Sequence, residues 1–170
     1  RPAFFAEVFA QFTTRLLRAS PPHYGQELGS LHARFAAICV VDGSCLAAIA
    51  HRLKLLWAER AVILPGCLLA VYDLGHGLCR HLAFATDAAA AELPRALAVL
   101  AQLPRDALLV GDRLYCAAAW FAGLGAHGLW GVARRNRRLG LRKVRRLSRR
   151  QAQGGRLTDW IVETGGSRTT

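Results

Sequence analysis

The sequence predicts an α/β fold, in which a mixed β-sheet carries helices on its faces. Short apolar runs that suit buried strands alternate with segments of helical periodicity. Two of the runs are separated by so short a turn that they are expected to pair as an antiparallel hairpin. At 170 residues, of which 53% are hydrophobic, the chain is long enough and apolar enough to bury a core.

The N-terminal part of the chain predicts one helix and then one strand. Apolar residues recur at helical spacing over Pro2–Arg18, and the proline pair after Ser20 ends this helix. The helix is either the last one of a preceding domain or an ordinary packing helix of the same domain. The run FAAICVVD, Phe35–Asp42, predicts the first strand, whereas both helix and loop remain open for Cys45–Glu59.

The middle of the chain predicts a hairpin followed by two strand–helix–strand crossovers. A turn at Gly75 joins the two strands of the hairpin. Pro94 interrupts the helix after the hairpin, so that helix begins either at Ala88 or nearer Leu93. The predicted strands are Cys67–Asp73, Leu78–Phe84, Ala107–Gly111 and Gly128–Ala133. The predicted helices are Ala88–Gln102 and Tyr115–Leu124.

Two acids, Asp42 and Asp112, stand at the ends of predicted buried strands. Ligands bind outside the carboxyl ends of parallel strands in open α/β sheets, so both acids are candidate site residues. If their strands are parallel neighbours, the two carboxylates lie side by side. A hard divalent cation neutralises such a pair through oxygen ligands, and two Mg²⁺ ions can promote phosphodiester cleavage. The alternative is that each Asp is only a cap or a turn residue.

Three other acids are interpreted as structural residues. Asp73 precedes the turn at Gly75, and it fits a turn entry better than a site. Glu92 fits the first turn of a helix, and Asp106 fits a loop. The sequence therefore offers Asp42 and Asp112 as its candidate acidic pair.

The charge of the chain indicates a polyanionic partner. The net charge is +12 and the pI is near 10.9, which point to nucleic acid first and to an anionic membrane surface second. The five cysteines form no C-x-x-C pair, so they are interpreted as core thiols in a reducing compartment. The longest uncharged apolar run, Ala61–Tyr72, is broken by a proline and is too short to span a bilayer.

The chain becomes strongly basic from Arg134 onwards, and no Asp or Glu occurs between Asp112 and Asp159. Such a run needs water, counterions or a phosphate backbone around it, so a solvated face is the alternative to nucleic-acid binding. Interleaved Leu and Val residues favour an amphipathic strand or helix, and Leu157–Glu163 predicts a strand. For Arg113 and Tyr115, bracing of the strand end is the alternative to DNA contact. The candidate DNA-binding residues are Arg113, Tyr115, Arg134, Arg135, Arg137, Arg138, Arg142, Lys143, Arg145 and Arg146.

Two motifs resemble a known family. Asp42-Gly43-Ser44 and Gly111-Asp112-Arg113-Leu114-Tyr115, each after a predicted strand, resemble the first two blocks of the DDE transposases of insertion sequence family four. The resemblance covers about residues 30–138 and includes Arg134 after the fifth strand. It implies a ribonuclease H-like mixed sheet with flanking helices, in which Asp42 and Asp112 are the first two catalytic, metal-binding acids.

The resemblance also implies a cofactor, partners and a division of the chain. The cofactor would be Mg²⁺ or Mn²⁺, and the partners would be transposon ends and target DNA, with a possible homodimer in the intact parent and no membrane. The location would be the bacterial cytoplasm, in association with the nucleoid. Residues 1–20 would end a preceding helical domain, residues 30–133 would form part of the catalytic core, and residues 134–170 would begin an inserted β-rich subdomain.

The third acid of the family's triad has no counterpart in this sequence. In the family it is a Glu on a later helix, within a Tyr-x-x-Arg-x-x-x-Glu block that a Lys follows. Glu163 lies instead in a strand-like segment before Gly165-Gly166. We therefore expect an inactive fragment or decayed copy of an enzyme that cleaves DNA ends and transfers the freed 3′ end to target DNA. The alternative function is a non-catalytic nucleic-acid-binding domain.

Overall fold

The computed structural model of the chain describes residues 2–45, 66–87, 90–137, 139–152 and 154–164. The α-helices are α1 Pro2–Ala19, α2 Gln26–His32, α3 Glu92–Val99 and α4 Ala118–Ala126, and 3₁₀ helices span Leu100–Gln102 and Arg113–Tyr115. The strands are β1 Ile38–Cys45, β2 Cys67–Asp73, β3 Leu78–Ala85, β4 Leu108–Gly111, β5 Trp130–Ala133, β6 Leu141–Ala152 and β7 Gly155–Thr164.

Five strands form one mixed sheet in the order β3-β2-β1-β4-β5. The hairpin β2–β3 is antiparallel, as is the pairing of β1 with β2. The two crossovers instead place β4 parallel to β1 and β5 parallel to β4. The prediction of an α/β fold with a mixed sheet and flanking helices is therefore confirmed.

The core lies between one face of this sheet and the helices that follow β3. Alternate strand residues point into it, among them Cys39, Leu69 and Leu109. Leu100 and Trp120 cover them from the helical side. Helix α1 packs against β3, at the edge of the sheet. Among the described helices, none is long and apolar enough to cross a membrane.

Strand β1 runs further than the sequence predicted. The apolar run ends at Asp42, yet Gly43, Ser44 and Cys45 continue the ladder because β2 pairs with them as far as Cys67. Asp42 therefore lies within a strand, with Ala70 of β2 as its antiparallel partner. The rest of the segment for which helix and loop remained open, residues 46–59, lies outside the described residues.

Both crossover helices are shorter than predicted. Helix α3 begins at Glu92, which agrees with a start nearer Leu93 rather than Ala88, because Pro94 fits only in the first turn of a helix. The second helix does not start at Tyr115, because Ala117 is extended and separates the 3₁₀ turn from α4. Helix α2 was not predicted.

The basic segment forms a hairpin. Strands β6 and β7 pair antiparallel as a separate two-stranded sheet, so the strand is the correct alternative to the helix. Nearly all of its residues are exposed. Two register shifts leave Val144 and Leu147 without a cross-strand partner, as in β-bulges. The predicted strand Leu157–Glu163 is confirmed as part of β7.

Asp73 is a fully buried carboxylate that closes the turn between β2 and β3. Its Oδ1 accepts hydrogen bonds from the backbone N–H groups of Gly75, at 2.8 Å, and His76, at 3.1 Å. Its Oδ2 lies 2.5 Å from Nε of Arg80 and 2.9 Å from Nδ1 of His76. Burial by itself raises the pKa of Asp73, but these hydrogen bonds and the Arg80 charge outweigh burial and lower it. The predicted turn role of Asp73 is confirmed.

We expect Asp73→Asn to lower the free energy of unfolding by about 2–4 kcal/mol at neutral pH, because it removes the buried partner of Arg80. Since the pKa of Asp73 is lower in the folded state, its contribution is complete above about pH 5 and is lost as the pH falls through the folded-state pKa. Urea unfolding should therefore show a difference from the parent chain that is constant above about pH 5 and narrows in acid. The exposed variant Asp106→Asn is the control, and a difference independent of pH would contradict this explanation.

Candidate active site at the ends of strands β1 and β4

The two predicted acids each lie two residues beyond the last pair of the parallel strands β1 and β4. Residues 38, 39 and 40 pair with residues 108, 109 and 110, so each paired position of β1 faces the position 70 residues later. If this register is extended by two residues, Asp42 lies opposite Asp112. Both side chains are exposed at the carboxyl end of β4, where open α/β sheets bind ligands.

The Asp112 carboxylate is oriented by its own chain. Its Oδ1 accepts a hydrogen bond of 2.6 Å from the backbone N–H of Leu114, so that Asp112 is the N-cap of the 3₁₀ turn Arg113–Tyr115. Asp112 therefore has the cap role that was the alternative to a site role. It engages one carboxylate oxygen, which leaves Oδ2 for a ligand.

A third acid, Glu92, reaches the same edge from the start of α3. Its Oε1 accepts a hydrogen bond from the hydroxyl of Tyr115, whose side chain is fully buried. Of the two roles predicted for Tyr115, the structure shows bracing of the strand end, because a buried ring offers no surface to DNA. The hydrogen bond ties the N-terminus of α3 to the segment that follows Asp112.

Two glycines leave space for the hydrogen-bonded side chains of Glu92 and Tyr115. A Cβ built on Gly43 would lie 2.1 Å from Oε2 of Glu92, and one built on Gly111 would lie 2.7 Å from Cδ2 of Tyr115. The residue after Asp42 and the residue before Asp112 therefore have to be small. Any side chain at Gly111 would displace the aromatic ring, whereas one at Gly43 would displace the flexible end of Glu92.

The hydroxyl of Tyr115 has a perturbed pKa. Burial is the largest cause that raises this pKa well above the usual range, and the hydrogen bond to Glu92 is the next. The negative charges of Glu92, Asp42 and Asp112 raise it further.

A cleft of about 630 Å³ opens beside Asp112 and carries basic residues. It is lined by Asp112, Arg113, Leu114, Arg134, Arg135, Asn136 and Arg137. Four of the predicted DNA-binding arginines thus surround one candidate catalytic carboxylate. The predicted residues Arg142, Lys143, Arg145 and Arg146 lie instead on the exposed strand β6, and Arg138 lies outside the described residues.

Metal-binding geometry is incomplete in the part of the chain that the structure describes. Within it, no group of three or more His, Cys, Asp or Glu side chains is placed to hold an ion. Glu163 forms an ion pair with Arg142 on the hairpin. The site therefore offers two exposed carboxylates, with Glu92 turned towards Tyr115.

Comparison of the chain with protein families, with curated proteins and with solved structures found no match.

Glu92 is the site residue that the sequence interpretation missed. Its position in a first helical turn fits an ordinary helix start, and nothing in its spacing from Asp42 or Asp112 relates it to them. The signal that could have found it is Gly43, because a glycine inside a buried strand often marks close approach by another group.

We expect Tyr115→Phe to lower the free energy of unfolding by about 1–2 kcal/mol, because the Glu92 carboxylate loses its partner in a partly buried place. Chemical denaturation measures the change. Tyr72→Phe is the matched control, since Tyr72 is an exposed tyrosine of β2, and it should change stability by less than about 0.5 kcal/mol. Equal effects of the two substitutions would show that the Glu92–Tyr115 hydrogen bond does not stabilise the fold.

Proposed function

We propose that residues 30–133 are the ribonuclease H-like part of a DDE transposase of the insertion sequence family four type, with Asp42 and Asp112 as two of its metal-binding acids. The observation that carries this proposal is the parallel register of β1 with β4, in which residues 38–40 pair with residues 108–110. Extended by two residues beyond the last pair, this register would bring Asp42 opposite Asp112. The sheet order, with β1 central and β2 antiparallel to it, agrees with the hairpin-then-crossover pattern that the resemblance implies. Because a fold alone does not establish function, the proposal depends on the two acids.

The donor set at this edge fits Mg²⁺ or Mn²⁺. Both are hard cations that take oxygen ligands, and Mg²⁺ is commonly bound by one or two carboxylates together with water and substrate phosphates. Asp42 and Asp112 would supply the carboxylates. Oδ1 of Asp112 would continue to accept the hydrogen bond from the backbone N–H of Leu114. When bound, the metal supplies the positive charge that activates the attacking oxygen and stabilises the leaving oxygen of a phosphodiester.

The chain's own residues would position the substrate. Arginines 113, 134, 135 and 137 line the cleft that contains Asp112, and a guanidinium group can bind a phosphate through two parallel hydrogen bonds. Tyr115 and Glu92 would hold the two strand ends in place without touching DNA. The reaction would be cleavage at transposon ends followed by strand transfer into target DNA.

A second candidate function is a non-catalytic nucleic-acid-binding domain. The observation that favours it is the hairpin β6–β7, which is both basic and exposed. This function needs the arginines but has no need of the acidic pair. Removal of the acids therefore distinguishes the two candidates.

We expect Asp42→Asn or Asp112→Asn, made in a transposase that carries this domain, to abolish Mg²⁺-dependent cleavage of transposon-end DNA and to leave DNA binding intact. Gel analysis of the cleaved ends measures the loss. The matched control is Asp106→Asn, which removes an exposed acid just before the opposite end of β4, at a positive φ of 61° that Asn tolerates. Unchanged cleavage in the Asp42 and Asp112 variants would exclude the catalytic function and favour the second candidate.

A further inference from the structure

The cross-strand pairs of the hairpin β6–β7 sort its charged residues onto two faces. Directly opposed residues of an antiparallel pair point to the same side. Lys143, Arg146 and Arg149 oppose Val162, Trp160 and Thr158, and Arg156 opposes Gln151 on the same side. These four cations define the Lys143 face. The contact of the Lys143 ammonium with the Trp160 ring, 4.8 Å from its centroid, agrees with this assignment.

The opposite side, the Arg142 face, carries both signs of charge. Arg142, Arg145 and Arg150 oppose residues 163, 161 and 157, which alternate with the residues of the Lys143 face. Asp159 and Glu163 lie on this side too. Their carboxylates are engaged within the hairpin, by Ser148 and by Arg142 respectively.

The two faces have similar numbers of basic residues but differ in net charge, because only one of them carries acids. The Lys143 face holds four cations without an acid, so it carries +4. Three arginines and two acids leave the Arg142 face at +1. A polyanion laid on the Arg142 face would meet Asp159, and it would compete with Glu163 for Arg142.

The base of the hairpin lies next to the candidate active site. A cavity of about 620 Å³ separates it from the α/β core. Leu141 and Val162 of the Lys143 side and Glu163 of the Arg142 side line this cavity, together with Phe121 and Ala133 of the core. Arg135 lines this cavity and also the cleft that contains Asp112, so the hairpin and the basic cleft are neighbours.

We propose that the Lys143 face binds the sugar-phosphate backbone of duplex DNA, and that the Arg142 face stays in solvent. A two-stranded ribbon is narrow enough to enter the major groove, and the bulges at Val144 and Leu147 increase its twist. Charge complementarity selects the face. The inference rests on the nucleic-acid partner of the proposed function but not on cleavage.

Two triple variants of the full chain test the inference with equal changes in net charge. Lys143→Gln/Arg146→Gln/Arg149→Gln removes three cations from the Lys143 face, and Arg142→Gln/Arg145→Gln/Arg150→Gln removes three from the other. Fluorescence anisotropy measures binding to a labelled duplex between about 50 and 200 mM salt. All six positions are exposed, and circular dichroism with thermal unfolding checks that each variant is folded.

We expect the variant of the Lys143 face to weaken binding at low salt by at least about tenfold, and to make the slope of log K against log salt shallower by about 3, one for each cation. The variant of the Arg142 face should change that slope by less than about 1. Equal losses would mean that net charge alone attracts DNA, and no loss in either variant would mean that the hairpin does not bind it.

Both of these outcomes would overturn the inference while leaving the cleavage test of Asp42 and Asp112 unaffected. Conversely, a loss confined to the Lys143 face together with unaltered cleavage in the Asp variants would support the binding face and exclude the catalytic proposal.

Discussion

The parallel pairing of β1 with β4 is the constraint on which the candidate site depends. Three consecutive pairs, from Ile38–Leu108 to Val40–Val110, fix the register of the two strands. A slip of one residue would turn every side chain of a strand to the other face, and would move Cys39 or Leu109 out of the core. The hydrophobic contacts that stabilise the sheet therefore also fix the register from which we expect Asp42 to face Asp112.

The surroundings of the acids show how the core and the site share residues. Gly43 and Gly111 are next to the two acids in sequence. The Glu92 side chain lies against Gly43, and the Tyr115 ring lies against Gly111. This pair connects helix α3 to the chain that leaves β4. Rigid elements thus hold both strand ends, which is the support that a site needs if its carboxylates are to keep a defined separation.

Charge is distributed unevenly around this edge. The acids stand at the carboxyl end of the sheet, and arginines line the cleft next to Asp112. The remaining positive charge extends outward along a hairpin whose two faces differ in their acids. An anionic polymer bound along this surface would be attracted by the arginines and repelled by the carboxylates unless a cation neutralised them. The pairing of an acidic edge with a basic surface is the physical reason to expect a metal ion together with a phosphate substrate.

The strands of the main sheet and the parallel pairing of β1 with β4 could be predicted because short apolar runs and crossover rules act along the chain. The end of β1 could not, since β2 extends the ladder through Gly43 to Cys45. The sequence favours strand and helix equally for the first half of the hairpin, whose apolar residues 141, 144 and 147 recur every three positions. The structure explains that spacing, since Val144 and Leu147 are the residues without cross-strand partners.

Glu92 shows the other limit of prediction from sequence. Its side chain lies beside Gly43 because α3 packs on the sheet, and apart from that glycine no local pattern relates it to the two strands. The sequence does not predict which charged residues share a face of the hairpin either. Side chains alternate between the two faces along a regular strand, but a β-bulge shifts this alternation and would lead to the wrong face.

The central claim is that Asp42 and Asp112 share one metal site. Nuclear magnetic resonance during addition of Mn²⁺ tests it most directly, because Mn²⁺ broadens the signals of nuclei close to the bound ion. We expect the backbone amide signals of Gly43 and Arg113, next to the two acids, to broaden first and at the same Mn²⁺ concentration. The amide of Asp106, just before the other end of β4, should broaden only at higher concentration. Broadening beside one acid alone, or equal broadening at Asp106, would contradict a shared site at Asp42 and Asp112.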